Sequence, residues 1–402
     1  MLLYTAAGLA GLASLKTKEN AFTLPVVVVM YDAMFLRGFL NMSASLRKWR
    51  RIIASLSGLL LVVLAIAIHK YDLHGLFEKF KATNEISRHD YLVTQFRVIV
   101  TYIRLLFIPV NQTVDHHYKV YSDVLEPSVI ASLAFIVLLA CSALYLLRVS
   151  RDASPYLRLV SFGIFWFFIT LSVESSVIPL IDVMFEHRLY LPSIGAILAV
   201  TAVFVHALEN MALTRGHLQK SAACMLAIAV IALSYAAYAR NRVWKNELTL
   251  WSDAIAKKPL NPRGYNMVGI YYLHNFKTFE AIHYFRKALE VDSMYAEARS
   301  NLGNAYIQTG RIDEGLNELM TTAKSNRFDA IDTGILYYSI GKCLHLKGMS
   351  DQAIENLNMA LFYIPNEAAV YFLLGEVYKR KNLADKSAAS FKTAHDMDSS
   401  RF

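Results

Sequence analysis

Cysteine is scarce in this chain: three among 402 residues. Cys141, Cys224 and Cys343 are too scattered to form a disulfide framework or a thiolate metal site. Two fall in apolar segments and one in a stretch with helical periodicity, so they leave the redox compartment open. The first apolar run, MLLYTAAGLAGLASL, resembles a secretory leader in length, but no basic stretch precedes it, so a leader is not the expected reading. The chain is instead expected to begin partway into a membrane helix. Charge is low, at 18% against 55% hydrophobic residues, and the mean hydropathy is +0.34. That excludes one ordinary soluble domain over the whole length. The 41 Lys and Arg exceed the 32 acidic residues, but the excess sits largely in short loops between apolar runs. It reports membrane topology rather than nucleic-acid binding.

What is present is all-α and divides in two: a polytopic membrane region over 1–240 and a soluble helical array over 241–402. Runs at Leu2–Leu15, Phe22–Leu36, Ile52–Ile68, Val129–Leu147, Leu159–Leu180, Leu189–Ala207 and Ala222–Ala239 read as membrane spans. Several fall short of the ~20 residues a bilayer normally requires, which tilt or polar flanks accommodate. The stretch Thr94–Val110 carries Arg97 and Arg104, which are costly against lipid, and is expected to be interfacial or re-entrant. Arg37, Arg47, Lys48, Arg50 and Arg51 fill one loop, and Arg148, Arg151 and Arg158 another. Both loops face the cytoplasm only if residues 94–110 do not cross. The segment from Glu174 to Tyr190 then lies near the outer face, Arg215 and Lys220 lie inside, and everything after Arg240 lies outside. In a bacterial cell this is an inner-membrane protein with a periplasmic array.

Beyond Trp244 the pattern becomes repeated amphipathic helix pairs. In YNMVGIYYLHNFKTFEAIHYFRKALEVD, Gly269 is followed by Tyr272, Ala281, Phe285 and Ala288. The skeleton returns with Leu302, Gly303 and Tyr306, then with Gly341, Ala353, Leu357, Ala360 and Pro365, then with Leu374, Gly375, Tyr378, Phe391 and Ala394. Gly269 to Gly303 and Gly341 to Gly375 are each steps of 34 residues, the period of tetratricopeptide repeats (TPRs), which this region resembles. Repeats are expected near 262–295, 296–329, 334–367 and 368–401, with a four-residue insertion around Asn326–Thr333. A half repeat over 244–261 carries Trp251, Ala254 and Pro259. A helical Gly costs ~1 kcal/mol against Ala, so its periodic return needs a packing reason, here close approach of the two helices of a hairpin. Such arrays present a concave surface to a protein or peptide. Asn266, Arg299, Asn301 and Asn304 are candidates to hold an extended backbone there, with plain solvated surface as the alternative.

Two polar strings fall near the expected outer face. In SVESSVIPLIDVMFEHRLYLPSIG, Glu174 ends an aromatic-rich apolar run, and Glu186, His187 and Arg188 form a charged triplet. Arg188 suits a lipid phosphate, and Glu174, Glu186 or His187 suit a sugar hydroxyl; the alternative is interfacial anchoring plus an internal Glu–Arg pair. The second string is Asp115, His116, His117, Tyr118 and Lys119. It lacks regular metal-ligand spacing, so a divalent ion is the lesser reading and no cofactor is expected. With Arg97 and Arg104, this loop suits a phosphate-bearing membrane lipid, because guanidinium groups fork onto phosphate oxygens.

KTKENAFTLPVVVVMYD at Lys16–Asp32, EHRLYLPSIG at Glu186–Gly195, RNRVW at Arg240–Trp244 and the repeats together resemble the transmembrane and tetratricopeptide-repeat O-mannosyltransferase family and its bacterial relatives. The resemblance implies a type C glycosyltransferase membrane core, a polyprenyl-phosphate sugar donor and repeats that recruit an acceptor. In that family the acidic base belongs to the first extracytoplasmic loop. This chain is expected to start downstream of that loop, so no residue takes the role by the match. A non-catalytic scaffold, collecting protein partners for envelope or surface-polymer assembly, is the competing expectation.

Overall fold

The computed structural model describes residues 23–36, 86–150, 154–175, 179–180, 182–210, 215–325 and 330–398. The runs Leu2–Leu15 and Ile52–Ile68, the residues Lys16, Lys18 and Glu19, the basic loop from Arg37 to Arg51, Arg151, and residues 326–329 of the expected insertion lie outside them. Among the described residues the protein is all-α, and the chain divides into two compact units, Met1–Tyr235 and Ala236–Phe402.

In the first unit, α1 (Leu24–Tyr31) runs into a π-turn, Asp32–Leu36. Tyr31 and Phe35 set their rings against Phe162, and Arg158 donates to the Met34 carbonyl. Helix α2 (Arg88–Phe107) starts on a Ser87 cap and is the amphipathic helix expected over 94–110, displaced toward its N-terminus. An extended strap, residues 108–126, follows it. Helices α3 (Pro127–Val149), α4 (Pro155–Leu171), α5 (Tyr190–Asn210) and the part of α6 (Arg215–Val243) up to Tyr235 complete the unit, with a short 3-10 turn at Glu186–Leu189 opening α5. Helix α4 ends at Leu171 rather than at the expected Leu180. Apolarity continues beyond it, but the amides of Glu174 and Ser175 both turn back onto the Leu171 carbonyl, and Pro179 follows.

Among the described residues three stretches are long and apolar enough to cross a membrane: Pro127–Val149, Glu186–Glu209 and Lys220–Val243. Helix α4, at 17 residues, is shorter. The chain is a multi-pass membrane protein. Between α4 and α5 the backbones meet at two glycines: a methyl group on Gly163 would lie 2.3 Å from the Gly195 carbonyl oxygen, and one on Gly195 would lie 2.4 Å from that of Gly163. In lipid, where apolar transfer gives helices little reason to associate, such contact supplies the dispersion energy that holds them.

The second unit is a stack of helical hairpins. Helix α7 (Glu247–Lys257) begins with a capping box between Asn246 and Thr249. Four pairs follow: α8 (Pro262–His274) with α9 (Thr278–Val291), α10 (Ala296–Gln308) with α11 (Ile312–Ala323), α12 (Ala330–Leu346) with α13 (Ser350–Tyr363), and α14 (Ala368–Arg380) with α15 (Ala384–Met397). Within each pair a glycine admits the partner's large side chain. A methyl group would come within 2.5 Å of Phe285 at Gly269, 2.8 Å of Leu319 at Gly303, 2.8 Å of Leu357 at Gly341 and 2.7 Å of Phe391 at Gly375. Ala281, Ala288, Ala353, Ala360 and Ala394 are fully buried beside them. Tyr272 stacks on Tyr284, while Tyr306 is buried and Tyr378 half-buried.

Candidate functional site

The polar site of the membrane unit is assembled by α2. Tyr91, Gln95, Val98, Tyr102 and Leu105 recur at alternating steps of four and three and form one buried stripe. It packs on Phe167 and Leu171 of α4 and on Val183, Met184 and Leu189. The polar members of the stripe pin the segment before α5: Gln95 donates to the Val183 carbonyl at 3.1 Å, and Tyr102 both donates to and accepts from the Phe185 backbone at 3.0 Å. Tyr91 donates to the Glu174 carbonyl at 2.8 Å.

Glu174 and Arg188 form an ion pair at 3.1 Å with both side chains under a tenth exposed. Arg188 also donates to the Val183 carbonyl and lies over the Phe185 ring. This is the internal pair that stood as the alternative to phosphate or sugar contact. Glu186 turns to the strap instead, accepting from the Thr113 amide and bonding His116 Nε2, each at 2.8 Å. His116 is buried, whereas adjacent His117 has a left-handed backbone at φ 39° and His187 stands against the Phe185 ring. The eight candidates therefore separate into a buried pair, a strap anchor of Glu186 with His116, two flanking histidines, and the arginines of α2.

Those arginines belong to a second stripe, Thr94, Arg97, Thr101 and Arg104, over which the strap doubles back. The Arg104 guanidinium donates to the Val110 carbonyl at 3.2 Å. The Thr101 hydroxyl meets the Tyr118 phenol at 2.9 Å, and the Thr94 hydroxyl accepts from the Tyr121 amide at 2.8 Å. Arg97 donates to the Ser132 hydroxyl on α3 at 3.2 Å, leaving its buried Nε without a partner. Burial pushes the Tyr118 phenol up, opposed by the Thr101 hydroxyl and by the charges of Arg97 and Arg104. Tyr118 belonged to the polar string read from sequence, but Thr101 and Ser132 were not singled out; for Thr101 the step of four and three from Arg97 to Arg104 was the available signal.

In the array, Asn266 is buried and accepts from the Asn301 amide at 3.0 Å, tying α8 to α10. Arg299 pairs with Glu318 at 2.7 Å and also donates to the Ser293 carbonyl. Asn304 is half-buried. Three of the four concave-face candidates are thus engaged within the array: Asn266 and Asn301 join successive repeats, and Arg299 braces its own hairpin and the loop before it. Arg286 donates twice to the Tyr306 hydroxyl, at 2.9 and 2.6 Å, while Arg311 covers the same ring, a cluster invisible to period counting.

Residues 273–331 match the family model described as Tetratricopeptide repeat. Over 308 residues the chain is 25% identical to Protein O-mannosyl-transferase TMTC3 of Homo sapiens, covering 75% of this chain and 33% of that protein. It is 29% identical over 132 residues to Cell division cycle protein 27 homolog B of Arabidopsis thaliana, covering 32% of this chain and 17% of that protein. The chain thus spans about a third of the length of the first of these relatives and less of the second. Among solved structures, a crystal structure of MamA is 23% identical, with 38% of this chain and 86% of that one covered and a TM-score of 0.34. A structure of Pseudomonas aeruginosa pilF is 15% identical, covering 42% and 75%, with a TM-score of 0.35. The chain is a distant relative of TMTC3 and carries a C-terminal TPR domain.

Proposed function

We propose that this protein is a membrane-anchored scaffold whose TPR domain, on the periplasmic side of a bacterial inner membrane, recruits protein partners for envelope or surface-polymer assembly. The observation that carries the reading is the array itself: four closely packed hairpins following a membrane-crossing helix. Such repeats spend their apolar faces on one another and leave a row of side chains for a partner. One residue beyond each packed glycine stand Ile270, Asn304, Lys342 and Glu376, half-buried or exposed. This mixed row suits a polar, extended peptide better than an apolar helix.

The test places a photo-crosslinking amino acid at Asn304 or Lys342 in the full chain and, as a control, at Glu355 on α13. Partner adducts at the first two positions and none at the control are expected. Equal labelling at all three would overturn the reading.

A second reading is favoured by the alignment to TMTC3 over most of the chain: sugar transfer from a polyprenyl-phosphate donor to an acceptor outside the cytoplasm. Such chemistry needs a base on the acceptor hydroxyl and positive charge on the departing phosphate. Glu174 and Glu186 are both engaged within the fold, and neither is assigned as the base. The reading requires transfer from a polyprenyl-linked sugar by the reconstituted chain; protein capture without transfer supports the scaffold.

A further inference from the structure

Arg97 and Arg104 carry charge that no carboxylate answers: among the described residues neither makes an ion pair, and the buried Nε of Arg97 has no hydrogen-bond partner. A partly buried guanidinium without a counter-ion is costly, and two on one helical stripe, a step of seven apart, compound the cost. Every other polar group along the stripe is satisfied, by the strap or by α3. The deficit is one of negative charge along a stripe whose two arginines flank the Thr101–Tyr118 hydroxyl contact and both bear electrostatically on Tyr118.

Directly beside this stripe opens a cavity of about 510 Å³ with an almost wholly apolar lining. Ile103, Leu106 and Phe107 of α2 form one wall, and Phe135 and Leu139 of α3 another. Its remaining walls come from α4 and from α5 between Ala196 and Ala207. The polar stripe and the cavity lining are adjacent in register on both helices. Phe107 is one turn beyond Arg104, and Phe135 is one turn beyond Ser132, which receives Arg97. Along α2 and α3 the polar stripe thus gives way within one turn to residues that line the apolar crevice.

We propose that this continuous site binds one anionic diacyl phospholipid, its phosphate between Arg97 and Arg104 with the Thr101 and Tyr118 hydroxyl groups, and one acyl chain in the crevice. The arginines supply the charge complementarity, and forked donors suit a phosphate diester. The crevice has the size of a small-ligand cavity and holds a single acyl chain, whereas a polyprenyl chain of many isoprene units overflows it. Strap and lipid then act together: the phosphate supplies the missing counter-ion, and the bound lipid fastens the strap to α2. The site is independent of both functional readings above.

The full chain, purified in detergent, is exposed to phosphatidylglycerol or to phosphatidylcholine, and retained lipid is counted by native mass spectrometry. One phosphatidylglycerol per chain is expected, retained in preference to phosphatidylcholine. The double variant R97Q/R104Q should weaken retention about ten-fold or more, from the loss of charged hydrogen bonds. Lys379→Gln, which removes an exposed charge on α14, should leave it unchanged. Val200→Trp, which fills the crevice and keeps both arginines, should weaken retention of long-chain phosphatidylglycerol while sparing the dihexanoyl form. Native elution and helical content keep folding out of the comparison. Equal retention by a folded R97Q/R104Q variant overturns the headgroup assignment. Displacement by inorganic phosphate alone overturns the tail assignment. Displacement by an equimolar polyprenyl monophosphate overturns the phospholipid as occupant.

Discussion

At the residue scale, the buried Glu174–Arg188 pair is the most consequential contact in the membrane unit. Removing one partner leaves an uncompensated charge in a place water does not reach, which costs ~3–5 kcal/mol in comparable buried pairs. Arg188→Met alone should therefore lower the unfolding temperature of the purified protein sharply, and adding Glu174→Leu should recover much of the loss. Thermal scans of both variants check this, and equal stability of Arg188→Met and the parent would contradict it. Sequence made this pair readable, since both residues are charged and flank one apolar gap. It did not show that adjacent Glu186 turns the other way, to His116, because that choice depends on a strap whose course has no periodicity. In the array, burial pushes the Cys343 thiol up to about 11. A raised value in the folded state means full stability below the unfolded thiol's range, lost as pH climbs from about 9 to 11. Replacing Cys343 by Ala should flatten the stability slope in that window, as read by denaturant midpoints at a series of pH values. The parent thiol should resist alkylation until the array unfolds.

At the element scale, small residues were the most legible feature and turn geometry the least. Two steps of 34, separated by one of 38, located Gly269, Gly303, Gly341 and Gly375, and the structure shows each one seated against a large side chain of the partner helix. The same spacing marks the turn between the helices of each pair, where Gly310 and Gly348 have φ of +79° and +80°. At the equivalent positions Asn382 has φ 59° and Phe276 has φ 58°. Asn tolerates this left-handed conformation, but an aromatic side chain does not; Phe276 is moreover 95% exposed, so packing does not compensate. Phe276→Gly should stabilise the array by about 1 kcal/mol, with Gly310→Ala losing a similar amount. Urea midpoints of the full chain test both, and a destabilised Phe276→Gly would show that the ring makes a contact in solution. The early end of α4 belongs to this scale as well. Apolarity alone carried the expected helix to Leu180, whereas the polar turn at Ser172–Ser175 stops it at Leu171.

At the scale of the whole molecule, the decisive question is which side of the membrane carries the array. The loop-charge argument required that residues 94–110 not cross, and rested on the cost of Arg97 and Arg104. The strap offers a stronger reason. It runs back along α2 until Tyr121 reaches Thr94, and Arg97 touches Ser132 in the second turn of α3. Helix and strap together start and finish at one level, so they add no net crossing whatever the depth of α2. From the start of α3, four helices then precede the array: α3, α4, α5 and α6. If all four cross, the number is even, and the array emerges on the strap's side. Helix α4 is the weak link, because 17 residues span about 25 Å, a little under a typical hydrocarbon core. Its close glycine crossing with α5 is expected to draw it across as one of a pair. Cysteine substitutions at Gln112 in the strap and Ser293 in the array, in a chain otherwise lacking Cys141, Cys224 and Cys343, give the measurement. Both should react with a membrane-impermeant maleimide in intact spheroplasts, while a cysteine at Arg148, exposed in the last turn of α3, should react only after lysis. Labelling of Gln112 without Ser293 would mean that one of the four helices fails to cross, and the array would then belong to the cytoplasm.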